Sequence, residues 1–126
     1  MKKIIATTNA PSPIGPYSQA VLVNGTLYVS GQIAINSATG LLILDNIIEE
    51  TKRVMDNIKA ILTEAGMDFT NVVKTSIFLS DMNNFAKVNE VYGSYFTKDF
   101  PARETVQVSR LPKDVNVEIS VIAVVS

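Results

Sequence analysis

At 126 residues, 47% of them hydrophobic and 18% charged, the chain has the length and apolar content expected of one domain spanning residues 1–126. Eleven basic residues against twelve acidic ones leave a net charge of −1, and the lysines and arginines are scattered, which argues against a nucleic-acid surface. With no Cys, His or Trp, the chain cannot run His-based or thiol nucleophile systems, disulfide chemistry, or His- or Cys-ligated zinc; catalysis must use carboxylates, Arg, Lys, Tyr, hydroxyls and backbone groups.

The first apolar stretch, Ile4 to Ala6, is shorter than the roughly 7 residues of a signal h-region. No apolar run nears the roughly 18 residues of a membrane span, so a cytoplasmic protein without a membrane partner is expected. Ala10 to Pro16 holds three prolines and Gly15 and reads as a loop. Ala20 to Val23 and Thr26 to Ser30 flank Asn24-Gly25, a pair suited to the two positive φ angles of a type I′ turn, and predict a hairpin. From Asn46 to Ala65 apolar residues recur at steps of three and four, which predicts a helix with one buried stripe. Asp45 or Asn46 caps it, Glu49 and Glu50 complement its dipole, and Gly66 stops it.

Val72 to Leu79 is β-branched and strand-like, and a second helix follows Asp81 to Asn84, with Phe85, Val88, Tyr92, Tyr95 and Phe96 on one face. Arg103 to Val108 and Val117 to Val125 read as a closing pair of strands around a turn at Leu111 to Asp114. In the last strand Val117, Ile119, Val121, Ala123 and Val125 share one face, while Glu118, Ser120, Ile122 and Val124 share the other. Two helices cover one face of a sheet, so the second apolar face calls for further copies of the chain. The expectation is an α+β sandwich with helices on one side, assembled as a cyclic homo-oligomer.

Several residues carry possible chemistry, each with an ordinary structural reading beside it. Glu118 is a strand carboxylate, either solvated or placed as a base. Arg103 opens a strand and offers a planar fork to a carboxylate, and Thr105 lies two residues on, on the same face. Tyr17 and Ser18 end the proline loop, and Ser30-Gly31-Gln32 ends a strand where small residues admit a ligand to the backbone. Asn89 is a polar position on the second helix.

Together, Ile14-Gly15-Pro16-Tyr17-Ser18-Gln19, Ser30-Gly31-Gln32-Ile33, Thr39-Gly40, Asn57-Ile58, Val73-Lys74, Asn89-Glu90-Val91-Tyr92, Pro101-Ala102-Arg103 and Val117-Glu118-Ile119 resemble the YjgF/RidA family along nearly the whole chain. The resemblance is strongest to its RidA branch of 2-iminobutanoate/2-iminopropanoate deaminases. It implies a chorismate-mutase-like fold, a homotrimer and clefts between adjacent subunits. It also implies a cofactor-independent hydrolysis of small imino acids, with no metal. By that resemblance Arg103 grips the substrate carboxylate and Glu118 orients or activates water, while Tyr17, Ser30, Gly31, Asn89 and Thr105 line the cleft.

Thr105 stands where many members carry Cys, so the mechanism must not need a thiol. Glu104 replaces a small residue common there and is expected to alter the local field. Glu50, where Gln is frequent, is expected at the surface. Arg103 and Glu118 are expected to converge on one small anion in a crevice that neighbouring copies help build, and an arrangement on opposite surfaces, or too far apart to share that anion, would overturn the deaminase reading. The other reading is a binding protein that senses a 2-oxo or amino acid through the same cleft and regulates a partner; the retained Glu favours the enzyme. A ribonuclease is disfavoured by the lack of His and of a basic groove.

Overall fold

In the computed structural model, which describes residues 1–126, Asn24 and Gly25 adopt φ of 50° and 77°, the paired positive values their sequence anticipates. They join β2 (Ala20–Val23) to β3 (Thr26–Gln32), and β1 (Lys3–Ile5) adds to β2. The proline loop between β1 and β2 is tied down by one buried side chain. Gln19 accepts from Thr7 N at 2.8 Å and donates to the carbonyls of Thr7, Ala10 and Pro11 at 2.8 to 3.2 Å, supplying partners that a proline-rich segment cannot find in itself.

Helix α1 runs Ile47–Glu64 from an Asn46 cap, whose side chain accepts from Glu49 N, and stops before Gly66 at φ 73°. Val54, Met55, Ile58, Ile61 and Leu62 form its stripe, all without solvent exposure. Glu50 belongs to that stripe too. It is fully buried, against the expectation of a surface residue, because the three-and-four period carries position 50 to the sheet side. Its carboxylate accepts from Asn116 N at 2.8 Å, Asn116 Nδ2 at 2.7 Å and Val117 N at 3.3 Å.

Strand β4 (Val72–Leu79), helix α2 (Phe85–Gly93) and β5 (Ala102–Gln107) form a crossover, and β6 (Val117–Val124) ends the fold. The six-stranded sheet has the order β1-β2-β3-β6-β4-β5, antiparallel except for the parallel pair β4–β5. The expected closing hairpin is therefore not formed. The link from 108 to 116 carries the chain across β4, so that β6, with six apolar residues among its eight, enters the centre of the sheet between β3 and β4.

Both helices lie on one face of the sheet. Val117, Ile119, Val121 and Ala123 are buried beneath them, in a core cluster that includes the α1 stripe, Ile77, Leu79, Val88 and Tyr92. On the other face Glu118, Ser120, Ile122 and Val124 remain partly exposed. The strand registers align Ile4, Val21, Tyr28 and Ile122 in one row across it, with Ile4 and Tyr28 each 50% exposed. No helix is long and apolar enough to cross a membrane.

The α1 stripe holds the helix layer to the sheet by apolar burial, so truncating it should leave a cavity. Ile58→Ala is expected to destabilise the fold by about 2–5 kcal/mol. Urea unfolding at fixed protein concentration checks this, with a lower midpoint and an unchanged slope as the expected result.

Candidate functional site

Strand β5 and helix α2 build the first group of side chains. Arg103 is in register with Thr75 of β4, a fully buried residue on the helix side of the sheet, so its own side chain rises towards α2. There Nη1 donates to Asn89 Oδ1 at 2.6 Å, and Cζ lies 5.2 Å from the Tyr92 ring centroid and 5.7 Å from that of Phe85. The Tyr92 hydroxyl donates to Thr75 at 2.9 Å, and burial raises its pKa, which keeps this ring a neutral platform for the guanidinium. No carboxylate pairs with Arg103, only one of its five N–H donors is used within the chain, and the residue lines a cleft of about 470 Å³ with Asn89, Tyr92, Phe100 and Pro101. Thr105, expected to line the cleft, lies two residues along the same face but is not among its lining residues in the single chain, and its hydroxyl is buried with no partner.

Strands β3 and β6 and the proline loop build the second group. Tyr17, Ser30, Gly31 and Glu118 line a cleft of about 320 Å³ with Ile14, Ile33 and Pro112. Ser30 Oγ donates to Ser18 O at 2.6 Å and Ser30 N to Gln19 O at 2.9 Å, so the loop that carries Tyr17 is fastened to the end of β3. Between Val29 and Gln32 the register with β6 shifts, and Gly31 falls within this bulge. A Cβ on Gly31 would stand 2.8 Å from Glu118 Cδ and Oε2, so the glycine makes the room in which the carboxylate lies. Burial alone pushes the Glu118 pKa up from its ordinary value.

These two groups do not meet in one chain. Glu118 is in register with Phe78 and faces the side of the sheet without helices, whereas Arg103 faces the side that carries them. The expected convergence on one anion is thus corrected for the single subunit: alternation along β5 and β6, each paired with β4, sends the two charges to opposite faces. Glu104 is also corrected as a modifier of the Arg103 cleft. Its side chain faces away, pairs with Lys74 at 2.8 Å and accepts from Ser76, and the Lys74 ammonium foremost holds its carboxyl below the usual range.

Sequence reading did not anticipate the aromatic platform of Phe85 and Tyr92, because both fall on the apolar stripe that also builds the core. Ile14 and Phe100, large apolar residues 59% and 63% exposed beside the two clefts, were open to detection as unburied hydrophobics next to Pro and Gly.

A family model described as Endoribonuclease L-PSP matches residues 7–125. The chain belongs to this family, the YjgF/RidA family. Among its relatives, a human protein named 2-iminobutanoate/2-iminopropanoate deaminase is 48% identical over 124 residues, 98% of this chain and 90% of the relative. A RutC family protein of Pyrococcus abyssi is 54% identical over 122 residues, 97% and 96% of the two chains. The solved YjgF gene product of E. coli superposes with a TM-score of 0.94 at 45% identity, covering 98% of this chain and 99% of that one. E. coli TdcF, solved with bound serine, gives 0.94 at 41% identity with the same coverage. The mixed sheet with two helices is the YjgF-like architecture that the motifs implied.

Desolvation of Glu118 by the cleft is measurable. In a carbon-13 NMR titration its carboxyl is expected to titrate above an ordinary glutamate, and Gly31→Ala, which forces it out of its niche, is expected to bring the midpoint back down.

Proposed function

We propose that this protein is a cofactor-independent deaminase that hydrolyses 2-imino acids, such as 2-iminobutanoate and 2-iminopropanoate, to 2-oxo acids and ammonia. It does so as a homotrimer in which Arg103 of one subunit and Glu118 of the next face a shared cleft. The observation that carries the reading is the division of the site: an unpaired arginine on an aromatic platform occupies one face of the chain, and a desolvated carboxylate the other. Each group lines a cleft by itself, and a neighbouring copy seated against the open sheet face supplies what the other lacks. Relatives named as imine deaminases at about half identity over nearly the full chain, and a relative solved with an amino acid bound, support the substrate class.

The substrate carboxylate is held by the fork of Arg103, two parallel charge-assisted hydrogen bonds, while Asn89 fixes the guanidinium from the side. The Thr105 hydroxyl is buried and lies outside the residues that line this cleft in the single chain, so the grip is assigned to Arg103 and Asn89 alone. Glu118 accepts a proton from a water as its oxygen bonds to C2 of the protonated imine. Glu118 returns that proton to the nitrogen of the carbinolamine so formed, and the C–N bond breaks as the hydroxyl gives up its proton and C=O forms, so that one water is consumed for each ammonia released. General-base assistance of this kind contributes about 10²- to 10⁴-fold, enough for an intermediate that also hydrolyses unaided. Because Glu118 must be ionised, and burial raises its pKa, the acid limb of the rate profile falls at higher pH than an ordinary glutamate would give.

Arg103→Ala and Glu118→Gln are each expected to abolish 2-iminopropanoate hydrolysis while sedimentation still gives a three-chain mass. Mixing the two variants during refolding then decides the arrangement. Random cyclic assembly rebuilds about a quarter of the sites, so activity returns to that fraction if the two groups come from different chains. No recovery would mean that they do not. Wild-type protein that binds a 2-oxo acid without turning over any imine would sink the enzyme reading in favour of a binding protein.

Thr105→Cys is expected to change kcat/KM by less than about tenfold, far less than Arg103→Ala, because no step uses position 105 as a nucleophile. A large gain would assign the thiol a part in the chemistry.

A further inference from the structure

Glu50 and Asn57 lie on α1, seven residues and so about two turns apart, on the same buried face; neither is exposed at all. Polar side chains in that position are costly unless bonded. The Glu50 carboxylate and the Asn57 Nδ2 group bond to backbone at the ends of strands that carry the candidate site, while Asn57 Oδ1 is buried without a partner. The Glu50 carboxylate receives the backbone N–H of Asn116 and of Val117, the two residues immediately before Glu118, and the Asn116 side chain besides. Asn57 Nδ2 donates to the carbonyls of Ile33 and Ile35 at 3.1 Å each, just beyond Gly31 in the chain. Gly31 and the Glu118 carboxylate are themselves interlocked, since not even a methyl group fits between them.

We propose that Glu50, with Asn57, is a positioning residue for Glu118: α1 fixes the start of β6 and the segment after β3 at two points, and thereby sets where the carboxylate stands opposite the substrate. The inference rests on the function proposed above. The chemistry favours the carboxyl group at position 50, because the adjacent N–H groups of Asn116, just before β6, and of Val117, its first residue, both find their acceptor in this side chain. A glutamine could serve nearly as well. Its amide oxygen would take both backbone N–H groups, and its NH₂ would face the Asn116 amide rotated to present oxygen. An alanine offers nothing. No hydrogen bond links Glu50 to the cleft of Arg103, Asn89 and Tyr92, so a disturbance at Glu50 reaches the water-activating group and not the carboxylate grip.

The test is steady-state imine hydrolysis by the assembled wild type and variants, with the oligomer checked by sedimentation. Glu50→Ala is expected to lower kcat by at least about tenfold, a displacement of well under 1 Å being enough, with KM held within about twofold. Glu50→Gln is expected to restore most of kcat. Equal rates for the Ala and wild-type proteins, a rise in KM matching the fall in kcat, or an equal loss in the Gln and Ala variants of full trimer content would each overturn the proposal. Should Glu50→Ala fail to assemble, Asn57→Ala serves instead, with a several-fold fall in kcat at constant KM expected and an unchanged kcat overturning it. Failure of the function itself shows differently, as absence of imine turnover by the wild type.

Discussion

Alternation of side chains across strand β6 is the constraint on which the molecule depends. A strand at the middle of a sheet must satisfy two environments at once, and β6 gives Val117, Ile119, Val121 and Ala123 to the core under the helices and Glu118, Ser120, Ile122 and Val124 to the opposite face. A one-residue slip would drive Glu118 into the apolar cluster and expose the core residues, so the register is held by the hydrophobic effect and by the cost of an unpaired buried charge together. The two bonds from Glu50 to the backbone at its start reinforce the same register from the helix side.

The same alternation governs the chemistry. Arg103 and Glu118 belong to strands separated by β4, and their opposite orientations keep an unpaired cation and a desolvated anion from neutralising each other within the chain. An internal salt bridge would leave neither group free for a substrate. Held apart, the guanidinium rests on Tyr92 and Asn89 with most of its donors unused, and the carboxylate occupies the space left by Gly31, where poor hydration makes it a better proton acceptor. The apolar row through Ile4, Val21, Tyr28 and Ile122 lies on the face of the sheet that no helix covers.

Buried polar side chains define the loops around this scaffold. Gln19 fastens the proline segment, Glu50 the start of β6 and Asn57 the segment after β3. Each satisfies backbone groups that fall outside the sheet ladder. Such contacts add modest net stability but fix geometry, since losing them would leave the backbone groups they bond without those partners. Helix α1 therefore serves both as the apolar cover of the sheet and as the element that places the ends of two strands.

Much was legible from residue order alone. Local rules suffice for the Asn24-Gly25 turn, for α1 with its Asn46 cap and Gly66 stop, for β4, and for the two-faced character of β6, because each depends on neighbours within a few residues. The combination of short motifs also marked Arg103, Glu118, Gly31 and Asn89 and the family to which the chain belongs. Three-dimensional pairing decided the rest. That β6 inserts between β3 and β4 instead of folding back on β5 is a competition among distant strands for the central position. The burial of Glu50 follows from which helix face meets the sheet. That Arg103 and Glu118 emerge on opposite faces depends on the relative phase of two strands separated by a third, and no spacing along the chain encodes that phase.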